Sequence, residues 1–97
     1  MMLHVAAVFA SNYTNLMFTM ASDILRKEGL NFDDLKPLIT ETSRKACLGD
    51  PAMVQTGPAK RNDFEVIQKH IDLLASQPEY AELYRLLAEK IISRFNA

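Results

Sequence analysis

The first twenty-two residues, Met1 to Ser22, carry no formal charge and only His4 as a side chain that titrates near neutral pH, and every Asp, Glu, Lys and Arg lies between Asp23 and Arg94. A run of that length can be a cleaved leader, a membrane span or a helix that protein covers. A secretory leader starts with positive charge and ends in a small-residue cleavage site, and Met1-Met2-Leu3-His4 supplies no positive start. A lone transmembrane helix needs about twenty mainly apolar residues, and Ser11, Asn12, Thr14, Asn15, Thr19 and Ser22 interrupt the run. The expectation is a helix buried by protein, with no membrane partner.

Punctuation divides the rest into helices. Gly29 follows Arg26 and Lys27 and suits a left-handed stop to a first helix over about 2–28. Asn31 can cap a second helix over about 32–48, with Asp33 and Asp34 in its first turn and Leu35, Leu38, Ile39, Thr42 and Ala46 inward. Pro37 is comfortable only in a first turn, so it demands a late start or a bend near Lys36. A third helix, about 63–76, starts at Asn62 or Asp63, with Glu65 three residues after Asn62 in a capping-box-like arrangement. Its inner face is Phe64, Ile67, Ile71 and Leu74. Pro78 opens a fourth, about 78–95, whose stripe is Tyr80, Leu83, Tyr84, Leu87, Ile91 and Phe95. Nothing alternates with period two. The fold expected is all-α: a bundle of about four helices with a long first helix, forming a single helical domain over 1–97.

On a 100° wheel, Ser11, His4, Ser22, Asn15, Thr19 and Asn12 gather into an arc of about 100° on an otherwise apolar first helix. A solvated face ordinarily recruits Lys and Glu, so an uncharged polar stripe suits a ligand cleft, a partner's polar groups or enclosed water. It suits equally hydrogen bonding across a helix interface. His4 and Ser11 are about 10 Å apart along the axis, which rules out a serine–histidine nucleophilic pair. Ser11 with Asn15, and Asn12 with Asn15, can share one ligand group, while His4 can act on another atom.

The connection Gly49–Asn62 is long for so small a chain, and its Gln55, Thr56, Gly57-Pro58 turn and Lys60-Arg61 pair make it either a binding loop or an ordinary solvated one. The single cysteine, Cys47, reads as a small packing residue and fits a reducing cytoplasm. His4 and His70 stand far apart without an acidic cluster of ligand spacing, so no metal is expected. Gly29, Gly49 and Gly57 are too dispersed to write a dinucleotide turn or a P-loop, so this chain alone binds no nucleotide cofactor. Eleven basic against twelve acidic residues give no field favouring nucleic acid.

His4-Val5-Ala6-Ala7-Val8-Phe9-Ala10-Ser11-Asn12, then Gln55-Thr56-Gly57-Pro58 with Arg61 and Asp63, then Ile67-Gln68-Lys69-His70-Ile71, resemble the C-terminal helical domain of bacterial NADP-oxidoreductase-like proteins. The resemblance covers nearly the whole chain. It implies a 6-phosphogluconate dehydrogenase C-terminal-domain-like architecture, similar in plan to pyrroline-5-carboxylate reductase and ketopantoate reductase, with a Rossmann domain that lies outside this chain. It further implies that the first helix lines a substrate cleft and pairs with a second copy. On that likeness His4, Ser11 and Asn12 face the cleft, and Thr56, Gly57 and Arg61 belong to a loop near it. Asn15 joins them from the stripe, not from the motif. Related hydroxyacid dehydrogenases place a lysine four residues before an asparagine here, whereas the first lysine of this chain is Lys27, so their mechanism does not transfer. Asn62 stands where relatives often carry glycine.

The function expected is the substrate-side and dimerisation domain of an NAD(P)-dependent oxidoreductase acting on a small molecule in the cytoplasm. Such a domain is inactive alone; His4 is the catalytic candidate, and Ser11, Asn12, Asn15, Thr56, Gly57 and Arg61 bind substrate. The alternative is a non-catalytic helical dimerisation module.

Overall fold

The computed structural model describes residues 1–96, and among them it contains four helices and no strand. The first, α1, runs unbroken through an α-helical stretch Met2–Ala7, a π-helical turn Val8–Tyr13 and an α-helical stretch Thr14–Lys27. Its end is set by Gly29 at φ 70°. There the Leu30 amide donates to the Leu25 carbonyl and the Gly29 amide to the Arg26 carbonyl, the paired bonds of a Schellman stop.

Pro37 decides how the next helix begins. The chain first tightens into a 3₁₀ turn, Phe32–Leu35, capped by Asn31, whose side chain accepts from the Asp33 amide at 2.9 Å. Helix α2, Lys36–Ala46, then starts late enough to hold Pro37 in its first turn, where a missing N–H costs nothing. Asp50 caps a second 3₁₀ turn, Pro51–Val54. Helix α3, Phe64–Leu73, is capped by Asp63, which accepts from the Val66 amide. Asn62 is therefore not the cap; it sits just before it at φ 56°. Helix α4, Pro78–Phe95, carries Pro78 in its opening turn.

Two compact units result, Met1–Arg44 and the chain from Lys45 onward. In the first, the Phe32–Leu35 turn packs against Thr14–Lys27. Phe32, Leu35 and Ile39 are half-buried there, while Leu38 and Thr42 of the expected inner stripe are exposed. In the second, α3 packs on α4. Its core joins Ala59, Ile67 and Ala88, with Ile71, Tyr84, Ile91 and Ile92 against them, and Leu74 is buried as well. Alanines at 59 and 88 let loop and helix approach closely. Phe64 and Leu87 are exposed despite their helical spacing, and so is Cys47. Periodicity identifies an apolar face; it does not say that the same chain covers it.

The Gly49–Asn62 connection is more ordered than its length suggests. Beyond the Pro51–Val54 turn, Gly57 turns at φ 103°. The Arg61 amide donates to the Gly57 carbonyl, the Asn62 amide to Ala59 and the Asp63 amide to Pro58 at 2.8 Å. Asn96 adds a bond from its side chain to the Ala59 carbonyl. Bound in this way, the segment Gly57–Asp63 presents a set shape to its neighbours in the second unit.

Candidate functional site

The π-helical turn lies on the segment where Ser11 and Asn12 stand. A π turn closes its hydrogen-bonded ring over one more residue than an α turn, and isolated π turns inside α-helices recur at functional sites. One extra residue rotates everything upstream by about 100° relative to everything downstream. The Thr14 hydroxyl follows the wider spacing and donates to the Phe9 carbonyl five residues back, at 3.2 Å. The polar arc drawn on a uniform wheel is thereby cut in two: Ser11, Asn12 and Asn15 stay together, whereas His4 is turned away from Asn15 and Thr19.

A shallow hollow of about 520 Å³ records the outcome. Ser11, Asn12, Thr14 and Asn15 of α1 line it with Ser43 of α2, beside Ala10 and Phe18. His4 is not among the lining residues; it is exposed on the opening stretch of α1. Thr19 is engaged through its hydroxyl, which donates to the Asn15 carbonyl at 3.2 Å. No charged side chain lines the hollow. Arg44, next to Ser43, turns to Glu41 instead, with Nε to Oε2 at 3.0 Å and NH2 to Oε1 at 2.6 Å. That hydrogen bond, aided by the carboxylate's charge, raises the Arg44 pKa. The site therefore offers neutral hydroxyls and carboxamides, which orient a ligand without supplying a charge.

Thr56 and Gly57 belong to a different hollow, inside the second unit. It encloses about 250 Å³ and is almost wholly apolar, with Pro58, Ala59, Tyr84, Leu87, Ala88 and Ile91 as its other walls. Arg61 lines neither hollow and is exposed. Lys60 lies over the Phe95 ring, 5.8 Å from its centroid, a cation–π contact that anchors the loop to α4.

Sequence reasoning missed two features. Ser43 carries no motif, and only the tertiary packing of α2 brings it to the hollow of α1. The other is a contact between α3 and α4: His70 Nδ1 and the Tyr84 hydroxyl are 2.7 Å apart, with the rings edge-on. Tyr84 stands on the expected stripe of the last helix and His70 on none, and a pairing fourteen positions apart has no local signal. Burial pushes the Tyr84 phenol above its ordinary value, so at neutral pH it stays protonated. Among the described residues, no group of three or more His, Cys, Asp or Glu side chains is arranged to hold a metal ion, and no helix is long and apolar enough to cross a membrane.

Residues 1–91 match the family described as Domain of unknown function (DUF2520). The crystal structure of a protein from Bacteroides fragilis named "putative NADP oxidoreductase" is similar over 94% of this chain, at 46% identity and a TM-score of 0.91. The likeness covers 35% of that protein, so this chain spans about a third of its length. No curated protein matches the chain.

Proposed function

The chain belongs to the DUF2520 family, and on that premise we propose that it is the helical, substrate-side and dimerisation domain of a cytoplasmic NADP-dependent oxidoreductase. The observation that carries this is the likeness to the Bacteroides fragilis protein, of which about two thirds lies beyond the matched region. A dinucleotide-binding domain has room there. This chain's own residues do not fit such a cofactor: its three glycines are dispersed and no strand-turn-helix exists among the described residues. Hydride chemistry would belong to the cofactor held elsewhere.

What the chain contributes is the substrate's surroundings. Ser11, Asn12 and Asn15 orient a small polar substrate through hydrogen bonds, which favours reaction by restricting the bound geometry. His4 exchanges a proton at an atom other than the one these three hold. Within the second unit, Thr56, Gly57 and Arg61 are the substrate-binding residues of the Gly49–Asn62 loop. In the full-length protein, Asn12→Ala and His4→Ala are expected to lower kcat/KM by about 10²-fold each, the usual size of a lost orienting or proton-transfer group. Unchanged reductase activity in both variants would overturn the assignment.

A second reading, a non-catalytic helical dimerisation module, is favoured by one observation: Met2, Leu3, Val5, Phe9, Tyr13 and Leu16 of α1 are all exposed. On that reading the polar residues only set the register of the paired helices. The oxidoreductase reading is preferred because Ser11, Asn12, Asn15 and Ser43 converge on a hollow, whereas register alone needs no concavity.

A further inference from the structure

Ser11, Asn12, Asn15 and Ser43 share one property beyond their position on the hollow. None of their side chains makes a hydrogen bond to another described residue, whereas Thr14 and Thr19 spend theirs on the carbonyls of Phe9 and Asn15. Four uncommitted polar groups, two hydroxyls and two carboxamides, therefore converge on one concavity. Each carboxamide offers both donors and an acceptor, and each hydroxyl offers one donor and accepts as well. The volume, about 520 Å³, falls in the ordinary range of small-molecule sites.

The charges are as informative as the polar groups. Residues 1–22 contain no lysine, arginine or acid, and the neighbouring Arg44 guanidinium is engaged by Glu41. A phosphate or carboxylate entering the hollow would leave part of its hydration and meet no counter-charge. A neutral group that both donates and accepts would exchange water bonds for protein bonds without that loss.

We propose that this hollow, with Ser43 of α2 as a specificity-determining residue, recognises an uncharged donor–acceptor group of the ligand, such as an amide or an alcohol, and discriminates against an anion of the same shape. The proposal rests on the substrate-side reading for the ligand's identity as substrate, but its chemistry depends only on the hollow.

Propionamide and propionate are nearly isosteric and differ in charge, so they are the probes, with inorganic phosphate as a third. In ¹⁵N-detected titrations of the 97-residue chain, propionamide should shift the Asn12 and Asn15 side-chain amides and the Ser43 backbone amide along one saturable curve. Propionate and phosphate should bind at least about five-fold more weakly. Ser43→Ala and Asn12→Ala, both at exposed positions, should each weaken propionamide about three-fold or more, with the far-UV circular dichroism retained. Propionate binding as tightly as propionamide, or no saturation by either, overturns the proposal. Failure of the oxidoreductase reading looks different: full-length Asn12→Ala would keep its activity while the chain still bound propionamide.

Discussion

At the scale of single residues, backbone conformation accounts for Asn62, a position that side-chain chemistry alone leaves unexplained. Asn62 takes φ 56° one residue ahead of the Asp63 cap. A left-handed residue costs about 1–2 kcal/mol for most side chains, less for asparagine, and nothing for glycine. The glycine expected there from the resemblance and the asparagine present here meet the same backbone demand. Asn62→Ala should therefore destabilise the chain by about 1 kcal/mol, while Asn62→Gly should change it by less than about 0.5 kcal/mol, because relief of φ offsets the added freedom of the unfolded chain. Urea melts of the two variants check both values. The Tyr84 phenol gives a pH dependence with a defined sign. Burial raises its pKa in the folded chain above the ordinary value of 10.0, so the unfolded chain loses the proton first as pH climbs. Its contribution is full below about pH 9 and is lost as pH rises past 10 toward the folded value. Tyr84→Phe should cost about 1 kcal/mol at pH 8, through the lost bond to His70. The gap from wild type should narrow at pH 10.5, and a gap that widens there would contradict the burial argument.

At the scale of elements, the residues that end and begin helices were legible in the sequence, and the register inside α1 was not. Gly29, Asn31, Pro37 and Pro78 act locally, through φ, a side-chain acceptor or a missing N–H, so each can be read without knowing what surrounds it. The π turn has no such marker: Val8–Tyr13 contains neither proline nor glycine, and a uniform 100° wheel passes through it unaltered. That is why the stripe joins Ser11, Asn12 and Asn15, which line one hollow, to His4, which does not line it. Ser43 was illegible for a different reason, since it reaches the hollow only through the packing of another helix. If Val8–Tyr13 carries one residue more than an α-helix needs, deleting Ala10 should restore regular α-helix there. The far-UV circular dichroism should stay within a few per cent, while Phe9 and everything upstream, His4 included, turns about 100° relative to Ser11, Asn12 and Asn15, which keep their own spacing. With His4 carried away from the substrate that these three hold, reductase activity of the full-length protein should fall at least about ten-fold. Deleting Ala21 from the regular Thr14–Lys27 stretch is the control. It swings the half-buried side chains of that stretch off their packing and should cost about 2 kcal/mol or more in a urea melt. If the two deletions cost the same stability, the π turn is not a one-residue insertion.

At the scale of the whole molecule, surface area bears on how α1 is covered. The described chain exposes 7621 Å². Much of the exposed apolar area lies on α1, where Leu3 is 84% and Phe9 66% exposed. Contiguous apolar surface of this kind marks an interface in a soluble protein. The expectation that α1 is covered by protein therefore needs a partner, and a second copy is the economical one, because a two-fold axis lets the same face cover itself. Light scattering behind a sizing column should give twice 11.0 kDa at micromolar concentration. Leu3→Lys with Phe9→Lys places four like charges in the paired interface and should return the monomer mass with helicity intact. If the wild-type chain is already monomeric, self-pairing is wrong. The same double variant in the full-length protein then separates the two readings of function: a dimerisation module loses its only role when the mass halves, whereas a substrate-side domain keeps measurable turnover as long as Ser11, Asn12 and Asn15 are intact.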